Sequence, residues 1–294
     1  SDGVLSLFNS KEKRNMAIAN EIFKFLKKYC VYPPANAFNL PEFYETYPYN
    51  TNDPIVQLGL NRFQQYLADM SMEGFIEMYS LPDCTPKFQS GTNPDYYYSI
   101  EESVVILNRL LRFQFEDDEE QIFKFLTNLW QVINRECPKL NTFILVSILS
   151  SAGKNYFLNP FLAIQLNVGV IPDLTREAGR FALDNLHGRR AAEWNEPYYE
   201  DDKFNMLKKV LGGDPFPTEL KHKEKVIIQR LPVFIMANAV PDFARSGYFR
   251  DRIVMYTWVE CPFLKEYTKY PHPLATIELF KQWSIGIFSS NKTN

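Results

Sequence analysis

The sequence lacks the closely spaced cysteines and histidines that build zinc sites and disulfide frameworks. Its four cysteines are widely scattered and form no C-x-x-C pair: Cys30, Cys84, Cys137 and Cys261. Its three histidines lie too far apart in sequence to form a paired metal motif: His187, His222 and His272. Zinc-ligand spacing is therefore absent, and scattered cysteines favour a protein that stays reduced inside a cell.

Long hydrophobic runs and a strong excess of either charge are also missing. No apolar run approaches the roughly 20 residues that a membrane span requires, and the opening residues SDGVLSLFNSKEKRN contain no apolar signal-peptide core. A formal net charge of −3 excludes a broadly basic coat for nucleic acid but leaves room for a local basic patch. We therefore expect a soluble intracellular chain without a membrane partner.

The 294 residues include 46% hydrophobic and 15% aromatic side chains, which is typical of a globular protein with a sizeable core. The first part of the chain has the pattern of helices joined by connectors rich in proline and tyrosine. Apolar spacing and capping residues predict helices at 10–29 with Ser10 as the cap, after Asp53-Pro54, at 101–113 and at 118–135. The acidic run EDDEE fits the start of the last helix, where negative charge is favourable.

From residue 139 the pattern changes to short apolar strands separated by helical segments. The strand candidates are NTFILVS, RRAAEWNEP, LPVFIMANA and RIVMYTWV. Strands that alternate with helices predict an α/β fold with a mainly parallel sheet. We place the boundary in the loop-like stretch 81–98, so that residues 1–98 form a helical N-terminal region and residues 99–294 an α/β core with a C-terminal helix.

The stretch ILSSAGKNYF follows the first of these strands and resembles a phosphate-binding loop. A strand, a small flexible turn and a helix surround an anion with backbone N–H groups, and the lysine would reach the outer phosphates of a nucleotide. The nucleotide-binding candidates are Ser150, Ser151, Ala152, Gly153, Lys154 and Asn155. A G-K pair after a strand also occurs by chance, so the loop alone does not decide the function.

Two residues of the usual G-x-x-x-x-G-K-[ST] pattern are missing from this loop. Ile148 replaces the first glycine and cannot readily adopt a positive φ. An extra turn residue, with Ser147 in the place of the glycine, could relieve this. Asn155 stands where Ser or Thr normally meets Mg²⁺, and its amide oxygen is a hard ligand that could substitute.

Two further strand ends carry residues suited to nucleotide hydrolysis. Glu196, after RRAAEWN, is the candidate base that polarises the attacking water, and Asn195 is a neutral candidate on the metal side. Asn238 ends the apolar run at 231–237 and could hydrogen-bond both the γ-phosphate and the water. The alternatives are a surface loop that contains a glutamate and a strand-terminal asparagine that makes a turn.

Basic residues occur in two places downstream of the loop. Arg252, in YFRDRIVMY, could act as an arginine finger that completes a neighbouring subunit's site, or it could form a surface ion pair. Lys221, His222 and Lys223, in ELKHKEK, lie in a predicted hairpin. Lysines at alternate positions of a strand would share one face and could follow a phosphate backbone. A solvated charged turn is the alternative.

Taken in order, five segments resemble the superfamily 3 helicase domain of parvovirus replication proteins. They are KLNTFILV with SSAGKN, EWNEP, KKVLGGDPFPTELKHK, LPVFIMAN and FRDRIVMY. The forms WNEP and GKN are most similar to those of densoviruses, the invertebrate parvoviruses. The resemblance covers the chain from about Ile100 to Val259. It implies an AAA+-like P-loop core behind a helical oligomerisation region.

The resemblance implies an ATP-dependent DNA helicase that uses Mg²⁺, moves 3′ to 5′ on single-stranded DNA and acts in the host cell nucleus. It also implies a homo-oligomeric ring, expected to be a hexamer. Lys154 would be the Walker A lysine, Glu196 the Walker B glutamate, Asn238 the polar sensor and Arg252 the arginine finger. Asn155, Asn195 and Glu196 would hold the metal, and Lys221, His222 and Lys223 would grip DNA.

Two other interpretations stay open. The residues at 148 and 155 are compatible with an interaction module that binds nucleotide or DNA and oligomerises without efficient hydrolysis. A cellular P-loop kinase or transport ATPase fits less well, because it gives no reason for LPVFIMAN and FRDRIVMY in that succession. Members of the family also carry a nicking domain with a His-hydrophobic-His motif. No H-x-H occurs in this sequence, so we expect no nickase activity in this chain.

Overall fold

Helices precede the first strand along the chain, and strands alternate with helices after it. The computed structural model describes residues 8–221 and 224–292. The first helices are α1 (Ser10–Tyr29), α2 (Pro41–Tyr44), α3 (Pro54–Ala68), α4 (Met72–Ser80), α5 (Ile100–Gln114) and α6 (Glu119–Ile133). Next come β1 (Thr142–Val146), α7 (Lys154–Ala163), β2 (Val168–Val170), β3 (Ala191–Asn195), α8 (Phe204–Gly212), β4 (Phe216–Glu219), β5 (Lys225–Ile228), β6 (Val233–Ala237), β7 (Ile253–Thr257) and α9 (Ala275–Gln282). The predicted α/β class and the helical N-terminal part are confirmed.

Polar side chains fix where the helices begin. Asn9 caps α1, because its side chain accepts from the N–H of Glu12 while the Glu12 carboxylate accepts from the N–H of Asn9. The prediction of Ser10 as this cap was wrong, since Ser10 is already the first helical residue. Asp53 caps α3 as predicted, and Asp118 caps α6 inside the acidic run.

Five strands form one parallel sheet in the order β2-β3-β6-β1-β7. All four strands expected from the sequence are present, and β2 is an additional edge strand of three residues. The remaining two strands, β4 and β5, form a separate antiparallel hairpin, which confirms the predicted hairpin. No helix among the described ranges is long and apolar enough to cross a membrane.

Alternate residues of the central strands face two different hydrophobic cores. Phe143 and Phe234 lie in the core that also contains α7 and the N-terminal helices. Ile144 and Ile235 lie in the core on the opposite face, where α8 contributes Leu207. The sheet is therefore covered on both faces, as buried parallel sheets require.

The N-terminal helices share one continuous core with the sheet. Ile22 of α1, Phe63 of α3 and Phe143 of β1 belong to the same buried cluster. Gly59 permits α1 and α3 to pack closely, because a Cβ at this position would lie 2.6 Å from Ile22 Cγ2. Arg190, at the start of β3, is 1% exposed and adds a polar connection within this packing.

The guanidinium of Arg190 joins three parts of the chain. Its Nε donates to the carbonyl of Met70 at 2.6 Å, and its Nη2 donates to the carbonyl of Ile133 at 2.7 Å. Burial lowers the pKa of Arg190 to about 9. The N-terminal helices are thus fixed to the amino end of β3 by two hydrogen bonds from one buried charged group.

Phe125 of α6 provides a test of the core that connects the helices to the sheet. It is fully buried and packs against the rings of Tyr256 at 4.9 Å and Phe143 at 5.4 Å between centroids. We expect Phe125→Ala to lower the free energy of unfolding by about 3–5 kcal/mol. Phe123→Ala is the matched control, since Phe123 lies on the same helix but is 42% exposed, and should cost less than about 1 kcal/mol. Chemical denaturation would measure both, and equal losses would contradict this account of the core.

Candidate phosphate site at the carboxyl edge of the sheet

Three neighbouring parallel strands place the candidate residues at one edge of the sheet. The order β3-β6-β1 pairs Asn195 with Met236, and Val146 with Ala237. The residues that follow these strands, Ser147, Glu196 and Asn238, therefore emerge side by side. Their backbones continue the pairing, since Ser147 N–H donates to the Ala237 carbonyl at 3.0 Å. Such an edge is where parallel α/β sheets bind ligands.

Lys154 lies at the start of α7, directly above this edge. Its side chain is largely buried, and Nζ donates to Asn238 Oδ1 at 2.9 Å and to the Ser147 carbonyl at 3.4 Å. Burial lowers the pKa of the Lys154 ammonium, and the negative charge of Glu196 opposes this effect. The lysine thus stands in a partly desolvated position with two neutral oxygen acceptors, which an anion could replace.

Asn238 connects the lysine to the glutamate. Its backbone N–H donates to Glu196 Oε2 at 3.1 Å, while its side chain accepts from Lys154. Glu196 has a φ of 49°, in the left-handed region that is costly for a residue with a Cβ. Unfavourable backbone conformations of this kind cluster at functional sites. Three residues singled out in the sequence, Lys154, Glu196 and Asn238, are therefore in one hydrogen-bonded group.

The loop between β1 and α7 turns at different residues from those expected. Gly153 has a φ of 90° and Ser151 a φ of 64°, whereas Ile148 does not have a positive φ. Ile148 instead points outward and is 77% exposed. The turn therefore requires no positive φ at 148, because Ser151 and Gly153 adopt the left-handed conformation.

Neighbouring elements hold this loop in place. Gln114 of α5 donates from Nε2 to the Ala152 carbonyl at 3.0 Å, and Cys261 N–H donates to the Ser151 carbonyl at 3.0 Å. A Cβ at Gly153 would lie 3.0 Å from Leu110 Cδ2, so glycine also allows the close packing against α5. The first N–H groups of α7 have no partner within the helix and can meet an anion, together with the positive end of its dipole.

Asn155 and Asn195 line a second feature, a cavity of about 210 Å³. The same cavity is lined by Glu193, which precedes Asn195 by two residues and therefore lies on the same face of β3. The Glu193 carboxylate is half-buried and has no hydrogen-bond or ion-pair partner within residues 8–221 and 224–292. Burial raises its pKa.

Sequence analysis missed Glu193, although its position gave a signal. A glutamate inside an otherwise apolar strand is unusual, and its two-residue spacing from Asn195 predicts a shared face. Within the described part of the chain, no three His, Cys, Asp or Glu side chains group together as a metal site. The oxygen-bearing side chains that line this cavity are instead one carboxylate, four amides and four tyrosine hydroxyls.

Arg252 lies apart from the group around Lys154. It precedes β7 at the opposite, amino edge of the sheet. Its Nη1 donates to the Gly212 carbonyl at 3.0 Å and to Asp214 Oδ2 at 3.2 Å, and its guanidinium lies 4.8 Å from the centre of the Tyr248 ring. The structure therefore does not bring Arg252 to the lysine of its own subunit.

The predicted strand position of the basic residues 221–223 can be compared with the structure only at Lys221. Lys221 is exposed in the turn after β4. The expectation that lysines here alternate along a strand was wrong for Lys221, since β4 already ends at Glu219. His222 and Lys223 lie outside the described residues.

The fold and the lysine loop define the class of protein, an AAA+-like P-loop core. The JCV helicase, in a crystal structure with a bound small molecule, matches with a TM-score of 0.52 and 11% identity over 89% of this chain and 80% of the helicase. At this identity the match shows a shared fold alone. No family model matches the chain.

Two relatives identify the family. The initiator protein NS1 of Junonia coenia densovirus (isolate pBRJ/1990) is 34% identical over 273 residues, and that of Diatraea saccharalis densovirus is 33% identical over 273 residues. Each alignment covers 88% of this chain and 49% of the relative. The resemblance expected from the motifs is therefore confirmed, and the chain is a homologue of the densovirus NS1 initiator proteins. It spans about half the length of these relatives.

Proposed function

We propose that the chain is the ATP-hydrolysing motor core of a DNA helicase that replicates a viral single-stranded DNA genome. The observation that carries this proposal is the hydrogen-bonded group of Lys154, Asn238 and Glu196 at the carboxyl edge of a parallel sheet. The homology to replication initiators supplies the context in which such a motor is needed. The proposed place of action is the host cell nucleus.

The triphosphate of ATP would bind between the loop 148–153 and the first turn of α7. Lys154 donates to two neutral oxygens in the free protein, so a phosphate oxygen can replace them and gain a charge-assisted hydrogen bond. Backbone N–H groups of the loop, including those of Ser150, Ser151, Ala152 and Gly153, would hold the remaining phosphate oxygens. Asn155, one residue after the lysine, would then face the metal side of the phosphates.

Glu196 would activate the attacking water. Its Oε2 is held by the Asn238 N–H, while no partner of Oε1 is found in the described part of the chain. The fixed oxygen orients the carboxylate, and the other oxygen can accept a hydrogen bond from water. The Asn238 side chain would exchange its bond from Lys154 for one to the γ-phosphate, which would couple phosphate binding to the position of the base.

The residues around the 210 Å³ cavity fit Mg²⁺, which prefers oxygen ligands. Asn155 and Asn195 offer amide oxygens, and the unpartnered carboxylate of Glu193 offers the negative charge that position 195 lacks. Bound Mg²⁺ would neutralise charge on the transferred phosphoryl group. The proposed metal-side residues are Asn155, Asn195 and Glu196, with Glu193 as an added anionic residue.

Ring formation would complete the site and create a DNA channel. Arg252 is far from its own lysine, so it would act on the site of an adjacent subunit in a homo-oligomer, which we propose to be a hexamer moving 3′ to 5′. Lys221, His222 and Lys223 would contribute one basic turn per subunit to a central channel. Several copies of a short basic turn give a strong local potential although the net charge of the chain is −3.

Lys154→Ala tests the motor itself. We expect DNA-stimulated ATP hydrolysis to fall by at least about 100-fold, because the charge that holds the outer phosphates is lost. Lys124→Ala, on the exposed face of α6, is the matched control and should retain the wild-type rate. Equal rates for wild type and Lys154→Ala would refute the proposal. Tight ATP binding by the wild type with no turnover would instead favour a non-catalytic interaction module.

Glu193→Gln tests the added carboxylate. We expect the Mg²⁺ concentration for half-maximal hydrolysis to rise about tenfold, with a parallel weakening of Mn²⁺ binding to the nucleotide complex measured by electron paramagnetic resonance. Glu193→Gln combined with Asn195→Asp should recover both quantities, because it restores one negative charge at the cavity. Glu177→Gln, an exposed glutamate elsewhere, is the control. An unchanged metal dependence in Glu193→Gln would remove Glu193 from the site.

Mixing two inactive variants tests whether Arg252 acts on a neighbouring subunit. Arg252→Ala and Lys154→Ala should each be inactive alone, whereas equal mixtures should recover up to about a quarter of the wild-type rate, since that share of interfaces has both residues intact. Arg250→Ala, the exposed arginine two residues earlier, is the control and should stay active. If Arg250→Ala were inactive alone and regained activity in verified mixed rings with Lys154→Ala, whereas Arg252→Ala did not, the role would belong to Arg250.

A further inference from the structure

A cleft of about 600 Å³ lies between the end of α1 and the segment 81–85, outside the phosphate site. Its walls include the ammonium-bearing side chains of Lys24, Lys27 and Lys28, against a single carboxylate from Asp83. The half-buried thiol of Cys84 also lines the cleft. A small anionic molecule that enters would therefore meet both positive charge and a thiol.

The buried thiol of Cys30 lies next to the Cys84 thiol that lines the cleft. The two sulfur atoms are 3.7 Å apart, although the residues are 54 positions apart in sequence. Cys30 is fully buried, and both thiols are free. The two chain segments are already fixed to each other, because Thr85, Lys87 and Phe88 donate backbone N–H groups to the carbonyls of the 28–30 segment at 2.7, 2.8 and 3.0 Å. A bond between the sulfurs would thus require only a short movement of the side chains.

The two thiols differ in acidity. The hydrogen bond with Cys30 and, to a smaller extent, the positive charge of Lys27 lower the pKa of the Cys84 thiol, while partial burial opposes them. The same hydrogen bond and burial raise the pKa of the Cys30 thiol. The accessible sulfur is therefore the one that more readily becomes a thiolate, the reactive form of cysteine.

We propose that Cys84 and Cys30 form an oxidisable pair that reacts with small anionic disulfides of the glutathione class. Cys84 is the attacking thiolate in the lysine-lined cleft, and Cys30 is the resolving thiol behind it. This site is separate from the candidate phosphate site and does not depend on the proposed motor function.

The reaction balances as two thiol–disulfide exchanges. The Cys84 thiolate attacks one sulfur of glutathione disulfide, a mixed disulfide forms, and one glutathione leaves as a thiolate that takes up a proton. Cys30 then loses its proton to water and attacks the Cys84 sulfur, which expels the second glutathione. The protein pair is oxidised by two electrons, and one glutathione disulfide is reduced to two glutathione thiols.

Incubation of the reduced chain with glutathione disulfide tests the pair. We expect the intact mass to fall by about 2 Da and a digest to contain one peptide pair that links Cys30 to Cys84. The Tm should rise by about 5–10 °C, because the disulfide closes a long loop. Cys137, half-buried and remote in sequence, is the internal control and should remain alkylatable. Separate alkylation of Cys30 and Cys84 after this treatment, or modification of Cys137 first, would overturn the proposal.

Variants separate the roles of the two sulfurs and of the lysines. Cys30→Ser should stop at a stable Cys84–glutathione mixed disulfide, whereas Cys84→Ser should form neither product. Lys24→Gln with Lys28→Gln, two cleft lysines that do not act on the Cys84 pKa, should slow the reaction with glutathione disulfide about tenfold but leave the reaction with uncharged hydroxyethyl disulfide nearly unchanged. A stable adduct on Cys30 in Cys84→Ser would reverse the assigned roles. Equal slowing with both disulfides would refute recruitment by charge.

Discussion

The candidate site depends on one constraint, the parallel pairing of β3, β6 and β1 in adjacent positions. Residues that follow neighbouring parallel strands emerge at the same edge of the sheet. Residues 147, 196 and 238 therefore lie close together although they are far apart in sequence. The hydrogen bonds from Lys154 to Asn238 and from Asn238 to Glu196 then join a helix start to two strand ends. A shift of one residue in the register of β6 would turn its side chains to the other face of the sheet and break both bonds.

The sequence was sufficient where a local pattern determines the structure. The apolar runs at 142–146 and 233–237 predicted buried strands, and the polar residues after them predicted the edge site. The α/β class, the hairpin and most helix starts follow from the same kind of signal. The sequence did not identify the cap of α1, because Asn9 and Ser10 are both good capping residues. The pair of reciprocal hydrogen bonds between Asn9 and Glu12 selects Asn9.

Long-range packing decided what the sequence alone did not reveal. Ser151 takes the left-handed conformation because Gln114 and the backbone of Cys261 hold the loop on either side, and neither contact can be read from the loop itself. The strand position of Glu193 gave a sequence signal, but the cavity that it shares with Asn155 depends on how β3 packs in the fold. The separation of Arg252 from Lys154 could likewise be found only from the strand order, which places the two residues at opposite edges of the sheet.

The buried guanidinium of Arg190 connects the helical part of the chain firmly to β3. The guanidinium donates to the carbonyls of Met70 and Ile133 on the helical side. The backbone of Arg190 immediately precedes β3, whose other end leads to Glu196. An extended strand of five residues is stiff along its axis. A force on the helical segments held by Arg190 would therefore be transmitted along β3 toward the edge of the sheet where Glu196 lies.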